Sequence, residues 1–402
     1  MNGAKAGAAC LHERRMDEAI ALGVGTCSDV PSGDKGRLDR SKRPSGDGDP
    51  IISVKEAFVF KQKAWLWATV VLVAVLLLVA GCAPRSLDRE TAKSAGPYFG
   101  QTAPAETPAL FAPGIVSTGL DELGIAIMPD GRECYWTVLF SGLETILMSR
   151  EENGRWTEPE VAPFSGKYYD GWPAIRPDGQ RLFFHSARPR SDRPSGEEGR
   201  FGIWYMDRTG AGWSEPRILE SPINEGGNAT CPSVTKDGTI YVSKRFADNS
   251  EKLSRSRFAD GKYQAMEILP AVINTTDANY HGVIAPDESY LVRPLNGRAD
   301  AIGGGWNYYV SFRSSDDRWS ELINLGKGVH VVNCSALPTI SADGKYLFLR
   351  AWIPSKERYA LDRRLTWKEF TDREIRESFG NNNDIYWIGA KFIEALRPNG
   401  SK

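Results

Sequence analysis

One short pattern recurs five times between residues 121 and 352: a turn built on Asp-Gly, then a run of alternating apolar residues. The first three copies are Pro129-Asp130-Gly131 before Cys134-Tyr135-Trp136, Pro177-Asp178-Gly179 before Leu182-Phe183-Phe184, and Lys236-Asp237-Gly238 before Ile240-Tyr241-Val242. The last two are Pro286-Asp287-Glu288 before Tyr290-Leu291-Val292 and Ala342-Asp343-Gly344 before Tyr346-Leu347-Phe348. The aspartates are spaced by 48, 59, 50 and 56 residues. A self-similar unit of that length signals a propeller or an array.

A second marker lies upstream of four of the turns: Trp156-Thr157-Glu158-Pro159, Trp213-Ser214-Glu215-Pro216, Tyr263 and Trp319-Ser320-Glu321-Leu322. From each aromatic to the next Asp the distance is 22, 24, 24 and 24 residues, so the insertions all fall elsewhere in the repeat. Before each aromatic comes one more short strand, at Thr145 to Ser149, Gly202 to Asp207, Lys252 to Arg257 and Trp306 to Phe312. Polar turns such as Glu152-Asn153-Gly154 join these pieces as hairpins. Each unit is therefore four antiparallel strands, one propeller blade.

The chain ends complete the count. Asp384-Ile385-Tyr386-Trp387 repeats the look of Gly202-Ile203-Trp204-Tyr205, a third strand whose fourth is missing. Thr107 to Pro113 resembles Glu158 to Pro163, a fourth strand without a blade. Pairing the two closes the ring and removes two exposed edges. The expected fold is an all-β propeller of five four-stranded blades closed by an N-terminal strand, spanning 106–398; a six-bladed ring is the alternative.

The blade cores Pro173-Ala174-Ile175-Arg176-Pro177-Asp178-Gly179 and Pro338-Thr339-Ile340-Ser341-Ala342-Asp343-Gly344, with the apolar runs that follow, resemble the bacterial WD-repeat-like propellers. That group includes the propeller of the Tol-system protein TolB and many envelope lipoproteins. The resemblance covers about residues 107 to 395 and implies the fold. It implies little of function, because the motif is a packing and turn device. TolB-type propellers have six blades and five are found here, so a Tol-system role is not carried over. The fourth repeat departs from the pattern, with Asp287-Glu288 in place of Asp-Gly.

Residues Ala64 to Ala80 form an uncharged apolar run, preceded by Lys61 and Lys63 and followed by Gly81-Cys82-Ala83-Pro84. A basic region, a short apolar stretch and small residues before the cut are the parts of a secretory signal. Leu78 to Cys82 also resembles the bacterial lipobox, which implies acylation of Cys82. The expected organisation is a disordered or over-long gene start at 1–60, a lipoprotein signal at 61–82, a tether at 83–105 and then the ring. This places the protein in the cell envelope, held to the membrane through lipidated Cys82. An uncleaved anchor is the alternative. Of six cysteines only Cys134, Cys231 and Cys334 fall in the ring, at spacings that match no metal site, and are read as small buried side chains.

Nothing in the net charge of -1 suggests a nucleic-acid partner, and none is expected. Only four histidines argue against a histidine-based metalloenzyme, and no metal or other cofactor is expected. The long connections, 187–201, 220–231, 270–281, 294–305 and an insertion at 352–383, gather on the face opposite the Asp-Gly turns, where binding and catalysis usually sit. Within that insertion Trp367 to Phe379 has helical amphipathic spacing. Counting back from the turns brings Glu122, Asp170, Asn279, Trp172 and His281 toward this mouth, and the second strands bring His185, Arg188, Arg245, Arg350 and Trp352.

The mouth supports two readings. A binding or scaffolding module would use Trp172 and Trp352 as stacking platforms, with Arg188, Arg245 and Arg350 as anchors for a glycan, a peptide or an envelope protein. A propeller-type glycoside hydrolase would use Glu122 and Asp170 as its carboxylate pair, which must stand about 5 to 9.5 Å apart. At the depth of these two carboxylates the other blades carry Ala229, Asn279 and Ser335, so no third acid joins them.

Overall fold

Every Asp-Gly turn is held by the same local chemistry. An aspartate oxygen accepts a hydrogen bond from the backbone N–H two residues on: Arg132 to Asp130 (3.0 Å), Gln180 to Asp178 (2.9 Å), Thr239 to Asp237 (3.0 Å), Ser289 to Asp287 (3.1 Å) and Lys345 to Asp343 (3.0 Å). The residue after the aspartate takes positive φ, at Gly131, Gly179, Gly238 and Gly344 and equally at Glu288 (φ 62°). The fourth turn thus keeps the shared geometry, and Glu288 carries the left-handed backbone that glycine carries elsewhere.

The computed structural model describes residues 95–105, 107–118, 120–190, 201–210, 212–220, 222–246, 248, 250–275, 278–279, 281–303, 305–330, 333–334, 338–352 and 383–398. Cys82, the apolar run before it, and residues 353–382 with the amphipathic stretch from Trp367 to Phe379 lie outside them. Among the described residues no helix is long and apolar enough to cross a membrane.

The strands form five antiparallel blades. The first holds Asp121–Ile127, Glu133–Phe140, Leu143–Glu152 and the outer Glu160–Val161; the second holds Asp170–Ile175, Arg181–Ser186, Gly202–Thr209 and Arg217–Ile218. Asn228–Val234, Ile240–Arg245, Glu251–Ser256 and Glu267–Ile268 make the third. In the fourth the inner strand is split into Ala278–Asn279 and Val283–Ile284, followed by Tyr290–Asn296, Trp306–Phe312 and Ile323–Asn324. The fifth has a split inner strand, Asn333–Cys334 and Thr339–Ile340, then Tyr346–Trp352 and Asp384–Gly389. Its outer strand comes from the other end of the chain: Ala109 and Leu110 pair with Trp387 and Tyr386. The protein is a five-bladed β-propeller closed by its N-terminal strand.

Alternation along each strand sends apolar side chains to both neighbouring blades, so the core is divided among the blade interfaces. Tyr135, Ile146 and Met148 meet Leu182, Phe184 and Met206 between blades one and two. The closing seam between blades five and one is the most aromatic, with Phe111, Trp136, Phe348 and Trp387. Residues Pro97–Gly100, inside the stretch expected as a tether, pack on the turn face of this seam. There Tyr98 N–H donates to Gly131 O (2.8 Å) and Phe99 stacks on Trp156 at 3.8 Å.

A latch repeats in all five blades. The third strand's backbone N–H at Ile146, Ile203, Leu253, Tyr308 and Ile385 donates to a side chain in the connection after the outer strand, in turn Ser165, Asn224, Asn274, His330 and Ser117, at 2.7–3.2 Å. The carbonyl of the same residue accepts from the outer strand's end, at Ala162, Leu219, Leu269, Leu325 and Phe111. Five different folds of loop thus return to one depth and direction, which aligns the mouth. Cys134 and Cys231 are buried free thiols.

Candidate functional site

The inner strands bulge where they line the channel. Register shifts lie between Glu122 and Ile125, Gly171 and Ala174, and Thr230 and Ser233. Trp172 and Cys231 sit at these bulges with φ of 54° and 51°, which turns their side chains inward. The Trp172 indole crosses the channel. A methyl on Gly124 of blade one would collide with it, Leu123, Leu139 and Cys231 surround it, and His281 of blade four stacks on it at 6.2 Å. The channel is therefore plugged. On the turn side of the plug remains a cavity of about 60 Å³ lined by Ala126, Ala174, Ser233, Val283 and Thr339, far below the few hundred Å³ of a ligand site.

On the mouth side, two carboxylate–imidazole pairs come together from successive blades. Glu144 of blade one reaches over the bare α-carbon of Gly171 to His185 of blade two, Oε2 to Nε2 2.9 Å, and both are nearly buried. Tyr169 lies beside the same carboxylate, and burial with that neighbour holds its pKa well above the usual phenol value. Phe201 packs on the His185 ring at 5.0 Å and on Tyr169 at 5.0 Å. In blade three Glu251 accepts from the Ser243 hydroxyl and faces His281 of blade four (3.9 Å) and Arg245 (3.6 Å). Burial pushes the His281 imidazole down to about 4 against the pull of Glu251, and burial lowers Arg293 beside it to about 10.

Glu144 and Glu251 occupy equivalent places, each two residues before the latch residue of its third strand. In the other blades that place holds Phe201, Trp306 and Asn383. The ring of five positions around the mouth thus carries two carboxylates, two aromatic rings and an amide. Sequence reasoning missed this set because it looked at the inner and second strands. The signal is in the sequence, since each of these residues stands at or within one position of the start of a third strand.

The structure distributes the expected site residues differently. Glu122 and Asp170 are fully buried. Glu122 Oε1 accepts from the Thr118 N–H (3.1 Å) and hydroxyl (2.6 Å), Oε2 has no hydrogen-bond partner among the described residues, and burial holds the carboxyl well above its usual range. Asp170 accepts from Ser186 (2.6 Å), Ser165 (3.1 Å) and Arg188 (3.0 Å), tying the connection between blades one and two. Arg188 also bonds Phe164 O and lies against the rings of Phe184, Tyr168 and Trp204. Arg350 pairs with Asp121 at 2.7 Å and donates to Glu122 O, bridging the closing seam. Arg245 is the most solvent-facing of the expected cations, with 41% of its side chain exposed. Trp172, His185 and His281 do converge, as described. Asn279 and Trp352 end mouth-side strand segments, opposite Leu295 and Asn333, and their side chains lie outside the described residues. Among the described residues no cluster of three or more His, Cys, Asp or Glu is arranged to hold a metal ion.

No protein-family model and no curated protein matches the chain. Solved structures similar to it include TolB from Acinetobacter baumannii, with 17% identity and a TM-score of 0.39. That likeness covers 59% of this chain and 50% of TolB, so it spans only half the length of that protein. An α-L-arabinofuranosidase from Podospora anserina in complex with cellotriose is 12% identical, with a TM-score of 0.42 over 73% of this chain and 98% of the enzyme. One from Lactobacillus brevis is 11% identical, with a TM-score of 0.40 over 69% and 91%. None of these likenesses bears on function.

Proposed function

We propose that this protein is an extracytoplasmic, lipid-anchored propeller whose mouth binds a neutral glycan without transforming it. The observation that carries the reading is the third-strand ring: Phe201, Glu251 and Trp306 are partly exposed at equivalent places around one opening, with Glu144 and Asn383 buried in the same ring. Carboxylates and amides accept hydrogen bonds from sugar hydroxyls, and aromatic faces stack on the apolar faces of sugar rings. A neutral ligand fits better than an anion, because two carboxylates stand in the ring and Arg188 and Arg350 are engaged with Asp170 and Asp121. The hydrolase reading loses support from the burial of both Glu122 and Asp170, since an acid–base pair must touch substrate and water.

Calorimetry with neutral and uronic oligosaccharides tests the glycan reading. Neutral chains are expected to bind, and Glu251→Gln is expected to weaken them about tenfold, as a charge-assisted hydrogen bond becomes a neutral one roughly half as strong. Preference for the uronic chains, or binding indifferent to Glu251→Gln, would sink it. The anchor rests on the Leu78 to Cys82 segment. Cys82→Ser is expected to abolish labelled palmitate incorporation and leave an unprocessed precursor; persistence of label refutes the anchor and leaves the mouth untouched.

A further inference from the structure

A neutral imidazole donates through one nitrogen and accepts through the other. His185 Nε2 lies 2.9 Å from Glu144 Oε2, and a carboxylate only accepts, so in the neutral ring the proton resides on Nε2 and the lone pair on Nδ1. Ring geometry points that lone pair away from Glu144. Nδ1 is buried and has no hydrogen-bond partner among the described residues. Buried polar atoms without partners are rare in native structures, and each asks for an explanation. The buried Glu144 carboxylate can only accept, so moving the proton to Nδ1 would set two acceptors against each other. Phe201, half-buried and in the third-strand ring, packs on the imidazole at an interplanar angle of 48°.

We propose that His185 Nδ1 is the mouth's acceptor for a ligand hydroxyl, covered by Phe201 in the free protein and uncovered when that ring moves aside to meet the ligand. Glu144 is the positioning residue, acting through the tautomer. The ligand then presents a proton donor at this point, and a carboxylate or phosphate there is rejected by the lone pair. This deepens the glycan reading and rests on it.

Nitrogen-15 spectra of the full chain labelled at histidine test the idea, with His185 assigned by its loss in His185→Gln. In the free protein His185 is expected to show a protonated Nε2 and a bare Nδ1. Saturation with cellotetraose, xylotetraose or maltotetraose is expected to shift the Nδ1 resonance. Glu144→Gln, whose amide can donate to Nε2, is expected to move the proton to Nδ1 and weaken binding at least tenfold. A protonated Nδ1 in the wild-type free protein overturns the proposal, whether or not the variant folds. Oligosaccharide binding with an unmoved Nδ1 also overturns it while the glycan reading stands. If no oligosaccharide binds but trialanine, with its amide donors, shifts Nδ1, the acceptor role survives and the glycan reading fails. If neither class of probe shifts it, the acceptor role is lost as well.

Discussion

Glu122 shows how far a residue's position in a repeat can mislead about its surroundings. Counting eight back from the turn placed it with Asp170 at the mouth. The bulge two residues later instead turns Gly124, Trp172 and Cys231 into the channel, leaving Glu122 against Thr118 and Asp170 against Ser165 and Arg188. Bulges depend on what the opposite strand and the next blade leave room for, so a count along one strand does not see them. The count did find Trp172 and His281, which a bulge in blade two and the break in the inner strand of blade four bring together. Burial raises the Glu122 carboxyl well above its ordinary value of 4.5. The unfolded chain ionises this group above pH about 4.5 while the folded chain keeps the proton, so its contribution to stability is present below that pH and is lost as pH rises toward the folded value. Glu122→Gln keeps the Oε1 acceptor for Thr118 and cannot ionise. Denaturant unfolding should find the variant gaining on wild type from pH 5 to pH 8, and a difference constant with pH would refute the assignment.

At the scale of elements, the latch explains why blades with unequal loops stay aligned. Asn274 accepts from Leu253 N–H (2.9 Å) and donates to Leu253 O (3.0 Å) and Leu269 O (2.8 Å), and Asn224 makes the same set 50 residues earlier. Replacing Asn274 by Leu takes the side-chain partner from the buried Leu253 N–H and from Leu269 O, while Leu253 O keeps the Leu269 N–H, at about 1–3 kcal/mol for an orphaned group. A loss of roughly 2 kcal/mol or more in chemical unfolding is expected, with the wild-type fold retained; a loss under about 0.5 kcal/mol would show the latch to be incidental. The strands themselves were legible because Asp-Gly turns and alternation are local chemistry. The latch was not, although Ile223-Asn224 and Ile273-Asn274 repeat in the sequence, because its Ser, Asn and His members share only the ability to accept a hydrogen bond.

For the whole molecule, closure by residues from the far end of the chain was legible in the sequence, since an orphan third strand and an orphan fourth strand can only satisfy each other. The residues that form the third-strand ring were not legible. Deleting residues 107–113 should remove the outer strand of blade five and Phe111 from the seam core. Unfolding is then expected to lose its single cooperative transition and blades five and one to gain fast amide exchange; protection unchanged in Trp136 and Trp387 would refute the closure role.

The same seam also sets a clock. Ser117 and Ile385, which bond to each other there, are separated by 268 residues. No ribosome or export channel can deliver the second until almost all of the chain has appeared, so the first strand waits through the making of every other blade. During that interval the Trp136 face of blade one lacks the cover of Phe348 and Trp387, an invitation to chaperones and to neighbouring chains. The slowest and most vulnerable moment in this protein's life falls just before its last strand arrives.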